Sequence, residues 1–250
     1  MGLIMTNNSD YIYDNYFATT KNKMGFAFKG INDDITKNFI EFSKLAKSPV
    51  LEIGAAYGAV TLEALKNGAT VIANDIDEKH LEEIYNNCDL NLKKNLILIQ
   101  NDYDNLNFLQ DSLSAILCNR VIHFFDPEKT LRTIKKAYTW LEKGGKAFYT
   151  VETPYLKTFN MKKNLIKDFE ERKKQGEQFP GFIKTKDYGE DEISNILPEY
   201  LNLFDDEVLK NTFESCGFQI EKCYMFAREF YPDKARLDNR ESAGIIATKV

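Results

Sequence analysis

The segment Val50-Leu51-Glu52-Ile53-Gly54-Ala55-Ala56-Tyr57-Gly58-Ala59 joins an apolar run to two closely spaced glycines. Gly54 and Gly58 let the backbone turn sharply and approach a ligand, and a helix that follows offers unpaired amide donors and its positive end. That is the chemistry of a nucleotide-like site. About twenty residues further on, Asp75 closes a second apolar run, and a carboxylate at that distance suits a ribose diol because it accepts two hydrogen bonds at once. A buried strand carboxylate without a task is costly, which singles out Glu52. His123, one of two histidines, stands just past another apolar run and is the best candidate for a general base. Tyr11, Tyr16 and Tyr155 are the aromatic candidates for walling a substrate pocket.

Elements must hold these residues in place. From Pro49 onward, short apolar runs alternate with longer segments of helical period, the pattern of an α/β parallel sheet with helices on both faces. The runs predict strands at 50–54, 70–75, 96–99, 113–119 and 146–151, with helices over 57–67, 78–92 and 127–142. Asp77 is placed to cap the second of these helices. Asp126 and Pro127 start the third, and the Gly144-Gly145 pair is expected to end it. A helix over 205–216 leads to strands 218–227 and 243–249, which are separated by a polar loop from Arg228 to Glu241. Residues 152–203 are too long for an ordinary connection and predict a cap inserted after the fifth strand, with some helix of its own. Ahead of the sheet, 1–48 form an N-terminal segment of aromatics followed by an amphipathic helix with Ile35, Phe39, Ile40 and Phe42. Residues 49–250 would then be the ligand-binding domain that carries the insertion.

As a dinucleotide fingerprint, G-x-G-x-x-G would need glycine at 54, 56 and 59, where the chain has Gly54, Ala56 and Ala59. The middle position must admit a pyrophosphate, so its methyl group weakens a dehydrogenase reading. The string Leu51 to Gly58 instead resembles the acidic-x-Gly-x-Gly-x-Gly motif of class I S-adenosylmethionine (SAM)-dependent methyltransferases, with Ala56 replacing the middle glycine. The resemblance implies a Rossmann-like, seven-stranded, mostly parallel sheet. It also implies a loop at Gly54, Ala56 and Gly58 that cradles the methionine part of SAM, with Glu52 organising that loop or reaching the ammonium. By the same likeness Asp75 would hold the ribose and Ile76 would lie against the adenine. Asp102 would accept from the adenine amino group beside Tyr103, and Asn119 would contact SAM after the fourth strand. The stretch Asn119-Arg120-Val121-Ile122 lacks the Asn-Pro-Pro-aromatic motif of many amino-nitrogen methyltransferases, which disfavours nucleic-acid adenine or glutamine amides as acceptors. The likeness covers 49–151 well, 205–249 more loosely, and the segments 1–46 and 152–203 hardly at all.

The 250 residues are 43% hydrophobic, enough to bury a sizeable core. A net charge of −5 without a dense basic stripe argues against a phosphate backbone as ligand. Cys88, Cys118, Cys216 and Cys223 show neither zinc spacing nor a disulfide framework, and no apolar run approaches a bilayer span, so a cytoplasmic setting with no membrane partner is expected. The function expected is methyl transfer from SAM to a small-molecule acceptor. The alternatives are an NAD(P)-dependent oxidoreductase, which would share the glycine loop, and a protein of the same fold that binds SAM without turnover.

Overall fold

The computed structural model describes residues 17–21, 26–189 and 194–250. A short antiparallel pair, β1 (Phe17–Thr19) and β2 (Phe26–Phe28), precedes helix α1 (Asp34–Ser43). Asp33 starts that helix, its carboxylate accepting from the Thr36 amide at 2.8 Å. Ile35, Phe39 and Ile40 recur at helical spacing and are buried with Val50 and Phe148 of the sheet.

Strands β3 (Val50–Ile53), β4 (Val71–Asp75), β5 (Leu96–Gln100), β6 (Leu113–Asn119) and β7 (Leu141–Glu152) alternate with α2 (Ala59–Lys66), α3 (Glu78–Asn87) and α4 (Pro127–Trp140). Every residue of β3 and β4 is buried, which is why these strands read as short, mainly apolar runs, broken only by Glu52 in β3 and by Asn74 and Asp75 at the end of β4, rather than as alternation. Asp77 and Asp126 cap α3 and α4 as the sequence predicts, accepting from the Lys79 and Lys129 amides at 3.0 and 2.7 Å. The glycine pair does not end α4. The helix stops at Trp140, the Leu141 amide bonding to Ala137, and the chain enters β7 directly. Gly144, at φ +81°, and Gly145 lie within β7, where a Cβ on Gly145 would stand 2.8 Å from the Glu142 carbonyl and 3.0 Å from that of Ser114.

After β7 comes the insertion, with α5 (Leu165–Lys174), β8 (Phe182–Lys184), α6 (Thr185–Tyr188) and β9 (Tyr200–Asn202). Strands β8 and β9 pair antiparallel. Leu156, Phe159, Leu165, Ile183 and Leu201 form a core of their own with Tyr231 from the last long loop. The chain closes through α7 (Asp206–Ser215), β10 (Gln219–Phe226) and β11 (Ser242–Thr248).

The sheet order is β10-β11-β7-β6-β3-β4-β5, with β11 antiparallel to both neighbours and the other pairs parallel. The chain winds from β3 outward to β5 and then crosses back to β6 on the other side of β3. The crevice at the carboxyl ends of β3 and β6 is therefore the switch point where open sheets of this kind take ligands.

The polar loop between β10 and β11 has buried ends. Arg228 is fully buried and donates to Asp33 at 3.0 Å and to Ser242 at 2.9 Å, while its backbone amide donates to the buried Glu241 carboxylate at 3.1 Å. Pairing makes this burial tolerable and ties the start of α1 to the far end of the chain. No helix among the described residues is long and apolar enough to cross a membrane.

Candidate functional site

The loop after β3 places three of its five residues in left-handed conformations: Gly54 at φ +68°, Ala56 at +45° and Gly58 at +76°. A Cβ on Gly54 would meet Val121 Cγ2 at 2.5 Å, so only glycine lets the loop pack under the turn after β6. Ala56 adopts a conformation that favours glycine, and its amide donates to Asp75 Oδ2 at 2.9 Å. Strain of this kind persists where surrounding bonds hold it, and it gathers at ligand sites.

This loop is one wall of a cavity of about 310 Å³ at the switch point. Glu52, Gly54, Ala56, Asp75, Ile76 and Asn119 line it, together with Asp102 and Tyr103. Thr61 donates its hydroxyl to the buried Glu52 carboxyl, and burial raises the pKa of that group to about 7 despite the bond. Asp75 is also buried. Besides the Ala56 amide it accepts the Asp77 amide at 2.9 Å and His80 Nδ1 at 3.0 Å, which leaves about one of a carboxylate's four acceptor directions open. His80 Nε2 accepts from the Lys21 amide at 2.9 Å, which puts the ring proton on Nδ1.

On the opposite wall, Asp102 takes the Lys129 ammonium at 2.8 and 2.9 Å. Partial burial pushes its pKa up, but Lys129 and the Asp104 amide outweigh burial and the net direction is down. Tyr103 sends its ring into the core, and its hydroxyl donates to the Thr133 carbonyl at 2.7 Å. What it turns toward the cavity is therefore not its hydroxyl. Asn119 accepts from Thr150 and donates to Thr36 at 3.4 Å, joining β6 to β7 and α1. Ile76 is 45% exposed, an apolar surface left uncovered at the cavity edge.

A second cavity, of about 150 Å³, adjoins the first and shares Phe26, Arg120 and Phe124 with it. Arg120, at φ +59°, donates from Nε to Glu152 Oε1 at 2.6 Å and lies 4.2 Å from the Phe28 ring.

A family model described as "Methyltransferase domain" matches residues 50–145, the stretch from β3 into β7. Over this segment the chain is similar to that domain. The chain also has the class I methyltransferase fold. A SAM-dependent methyltransferase from Methanosarcina mazei aligns with a TM-score of 0.64 at 18% identity, over 87% of this chain and 98% of that one. One from Mesorhizobium loti gives 0.59 at 15%, over 86% and 97%. Magnesium protoporphyrin IX methyltransferase from Synechocystis PCC 6803, with bound SAH, gives 0.56 at 14%, over 87% and 81%. At these identities the likeness is one of fold. No curated protein matches the chain in sequence.

Within the matched segment, Gly58 stands apart from the other loop residues. It is the N-cap of α2 and does not line the cavity; a Cβ there would meet Ile84 Cγ1 at 2.6 Å, so its task is close packing of α2 on α3. His123 lines the second cavity and not the first. Burial pulls its pKa down to about 3, which corrects the expectation of a general base: at neutral pH the ring hardly attracts a proton. Tyr155 lines neither cavity. Its hydroxyl donates to Glu170 at 2.8 Å and its ring lies under Arg240 at 3.6 Å, so it is a packing residue of the insertion rather than a substrate wall. Tyr11 and Tyr16 lie outside the described residues.

Sequence reasoning passed over His80, Arg120 and Lys129, all of which line the first cavity. Arg120 was findable as the first residue past a predicted strand. His80 carried the weaker signal of a histidine in the first turn of a helix beside the ribose-type acid.

Proposed function

We propose that the chain is a SAM-dependent methyltransferase acting on a small molecule. The observation that carries this reading is the pairing of two cavities at the switch point. One is lined by acids and has an exposed apolar edge; the other is smaller and mainly apolar. SAM is a cation bearing an ammonium, a ribose diol and an adenine, and it supplies an electrophilic methyl group. Its parts fit the first cavity. Glu52 faces the ammonium, Asp75 offers its open acceptor direction to the ribose, and Ile76 covers the adenine. Asp102 and the Tyr103 backbone take the adenine edge, while Asn119 borders the methionine part beside Gly54 and Ala56.

Displacement at a sulfonium needs donor and acceptor atoms in line at about 3 Å, and much of the rate can come from that alignment alone. The chain's residues serve by binding, orienting and excluding water, which agrees with a second cavity whose lining histidine, His123, is a poor base. A net charge of −5 and a second cavity of about 150 Å³ favour a small acceptor over a polynucleotide. Four free cysteines suit a cytoplasmic setting.

Calorimetric titration with SAM, its demethylated product SAH and NAD tests the cofactor, and transfer of labelled methyl from SAM to fractionated small molecules tests the reaction. SAH binding without NAD binding is expected. Asp75→Ala should weaken it by about 1–3 kcal/mol. NAD binding in place of SAH would favour an oxidoreductase, and SAH binding without transfer to any fraction would leave a binding protein.

A further inference from the structure

Arg120 borders both cavities, and its partners do not saturate it. Nε donates to Glu152 Oε1 and Nη1 to the Phe26 carbonyl at 3.3 Å, while Nη2 makes no hydrogen bond among the described residues. Arg228 Nη2 also lacks a partner but is sealed inside the protein; Arg120 Nη2 is not sealed, and its side chain keeps 15% of its surface exposed. A half-sheltered guanidinium with an open edge is a seat for a carboxylate, because it stays charged and its N–H groups match carboxylate oxygens.

The second cavity supplies the rest of the complement. Leu156, Phe159, Leu197, Leu201 and Leu203 give it apolar walls, and a cavity of about 150 Å³ with such walls accepts a benzene ring. Among the described residues of its lining, Arg120 and Lys234 are two cations against one carboxylate, Glu152. This balance favours an anionic head on an apolar body.

Proton bookkeeping points the same way. An alcohol or phenol must lose a proton on methylation, and an amine is ordinarily a cation that two cations would repel. Burial pulls the His123 pKa down to about 3 and pushes that of the Tyr231 hydroxyl well up. Burial pushes the Glu152 carboxyl up too, but Arg120 outweighs burial and the net direction is down. None of the three is a good base near neutral pH. A carboxylate arrives already ionised and needs none.

We propose that the second cavity takes the apolar ring of a single-ring carboxylic acid, and that Arg120 holds its carboxylate at the junction of the two cavities as the methyl acceptor. The acceptor role rests on the methyl-transfer reading; the binding does not. In the transfer, one carboxylate oxygen bonds the methyl carbon while the carbon–sulfur bond breaks and leaves its electron pair on sulfur. The products are a methyl ester and the thioether SAH, and no proton moves.

Calorimetry and saturation-transfer NMR with 4-methylbenzoate and its neutral isostere 4-methylbenzamide, with and without SAH, test this on the full chain. The acid should bind about tenfold more tightly than the amide, the worth of a hydrogen bond between charged groups. Leu197→Trp, which fills the cavity from a partly exposed wall position, should weaken both about tenfold while SAH binding stays within about twofold. Arg120→Met combined with Glu152→Leu leaves no buried charge alone and should bring acid and amide within about twofold of each other. Incubation with methyl-labelled SAM and 4-methylbenzoate should yield label that alkali releases as methanol. Four outcomes overturn the binding proposal: no binding of the acid at millimolar concentration, equal binding of the amide, binding indifferent to Leu197→Trp, or an acid preference that survives the double variant. Binding of both acid and SAH without alkali-labile label overturns the acceptor role. Failure of SAH to bind would sink the methyl-transfer reading alone, because the measurements without SAH decide the cavity.

Discussion

His80 donates from Nδ1 to Asp75 Oδ1 at 3.0 Å and accepts the Lys21 amide on Nε2 at 2.9 Å. One buried ring thus ties the acid at the end of β4 to the turn that follows β1. The acid is held in one orientation, and the N-terminal hairpin is fixed beside the cavity that both border. The Tyr57 ring meets His80 edge-on at 5.1 Å and closes the other side.

His80→Ala should therefore weaken SAH binding by about 1–2 kcal/mol, through loss of Asp75 orientation rather than of a ligand contact. Hydrogen exchange of the Lys21 amide should rise in the same variant. Calorimetry showing wild-type affinity alongside faster exchange at Lys21 would separate the two effects and reject the orienting role.

The elements around this relationship were legible in the sequence because each reports locally. Asp77 and Asp126 announce their helices, and the mainly apolar runs 50–53 and 71–75 announce strands covered on both faces. Ala56 was readable as a glycine substitute, and the loop does hold it at a glycine-like φ. Arg120 and His80 were legible as positions beside the predicted site but not as contacts, and Lys129 not at all, because their pairings with Glu152, the Lys21 amide and Asp102 span 32, 59 and 27 residues. Such pairings are set by topology and not by local period. The same reason explains His123. Its position after β6 suggested a base, but the environment that removes its basicity is supplied by the insertion and by the loop before β11.

Glu52 predicts a pH dependence. Its pKa is about 7 in the folded chain against 4.5 ordinarily, so between those values the native state holds a proton that the unfolded state has lost. Stability should be full below pH 4.5 and fall as pH rises to about 7, by up to about 1.4 kcal/mol per unit. Glu52→Gln should flatten this slope in thermal melts. A cationic ligand opposite the carboxyl should lower its pKa, so SAM binding should release protons and tighten as pH rises through about 7. Titrations in buffers of different ionisation enthalpy measure the release, and none would place the ammonium elsewhere.

Arg120 and Glu152 form a nearly buried pair at 2.6 Å between the two cavities. Arg120→Met leaves a buried carboxylate without its cation and should cost about 3–5 kcal/mol in denaturant unfolding. Adding Glu152→Leu should restore much of that loss, because a pair of apolar residues needs no desolvation. If the double variant is as unstable as the sum of the singles, Arg120 stabilises through its contacts with Phe26 and Phe28 instead.

Gly181 tests whether the insertion folds as a unit apart from the cofactor loops. Its carbonyl accepts the Leu203 amide at 2.9 Å just before β8, and a Cβ at this position would fall 1.9 Å from the Leu203 carbonyl oxygen. Backbone cannot yield that far without separating β8 from β9. The core of the insertion rests on Ile183 and Leu201 from this pair, so Gly181→Ala should open it at a cost of about 2 kcal/mol or more. The loops at Gly54, Asp75 and Asp102 hang from the sheet and share none of these bonds. SAH affinity should therefore survive while methyl transfer is lost, and hydrogen exchange should quicken over 156–189 and 194–203 but not over 52–58. Equal protection of the insertion in variant and wild type, or SAH affinity lost in parallel with the insertion, would mean that the two regions fold and bind as one.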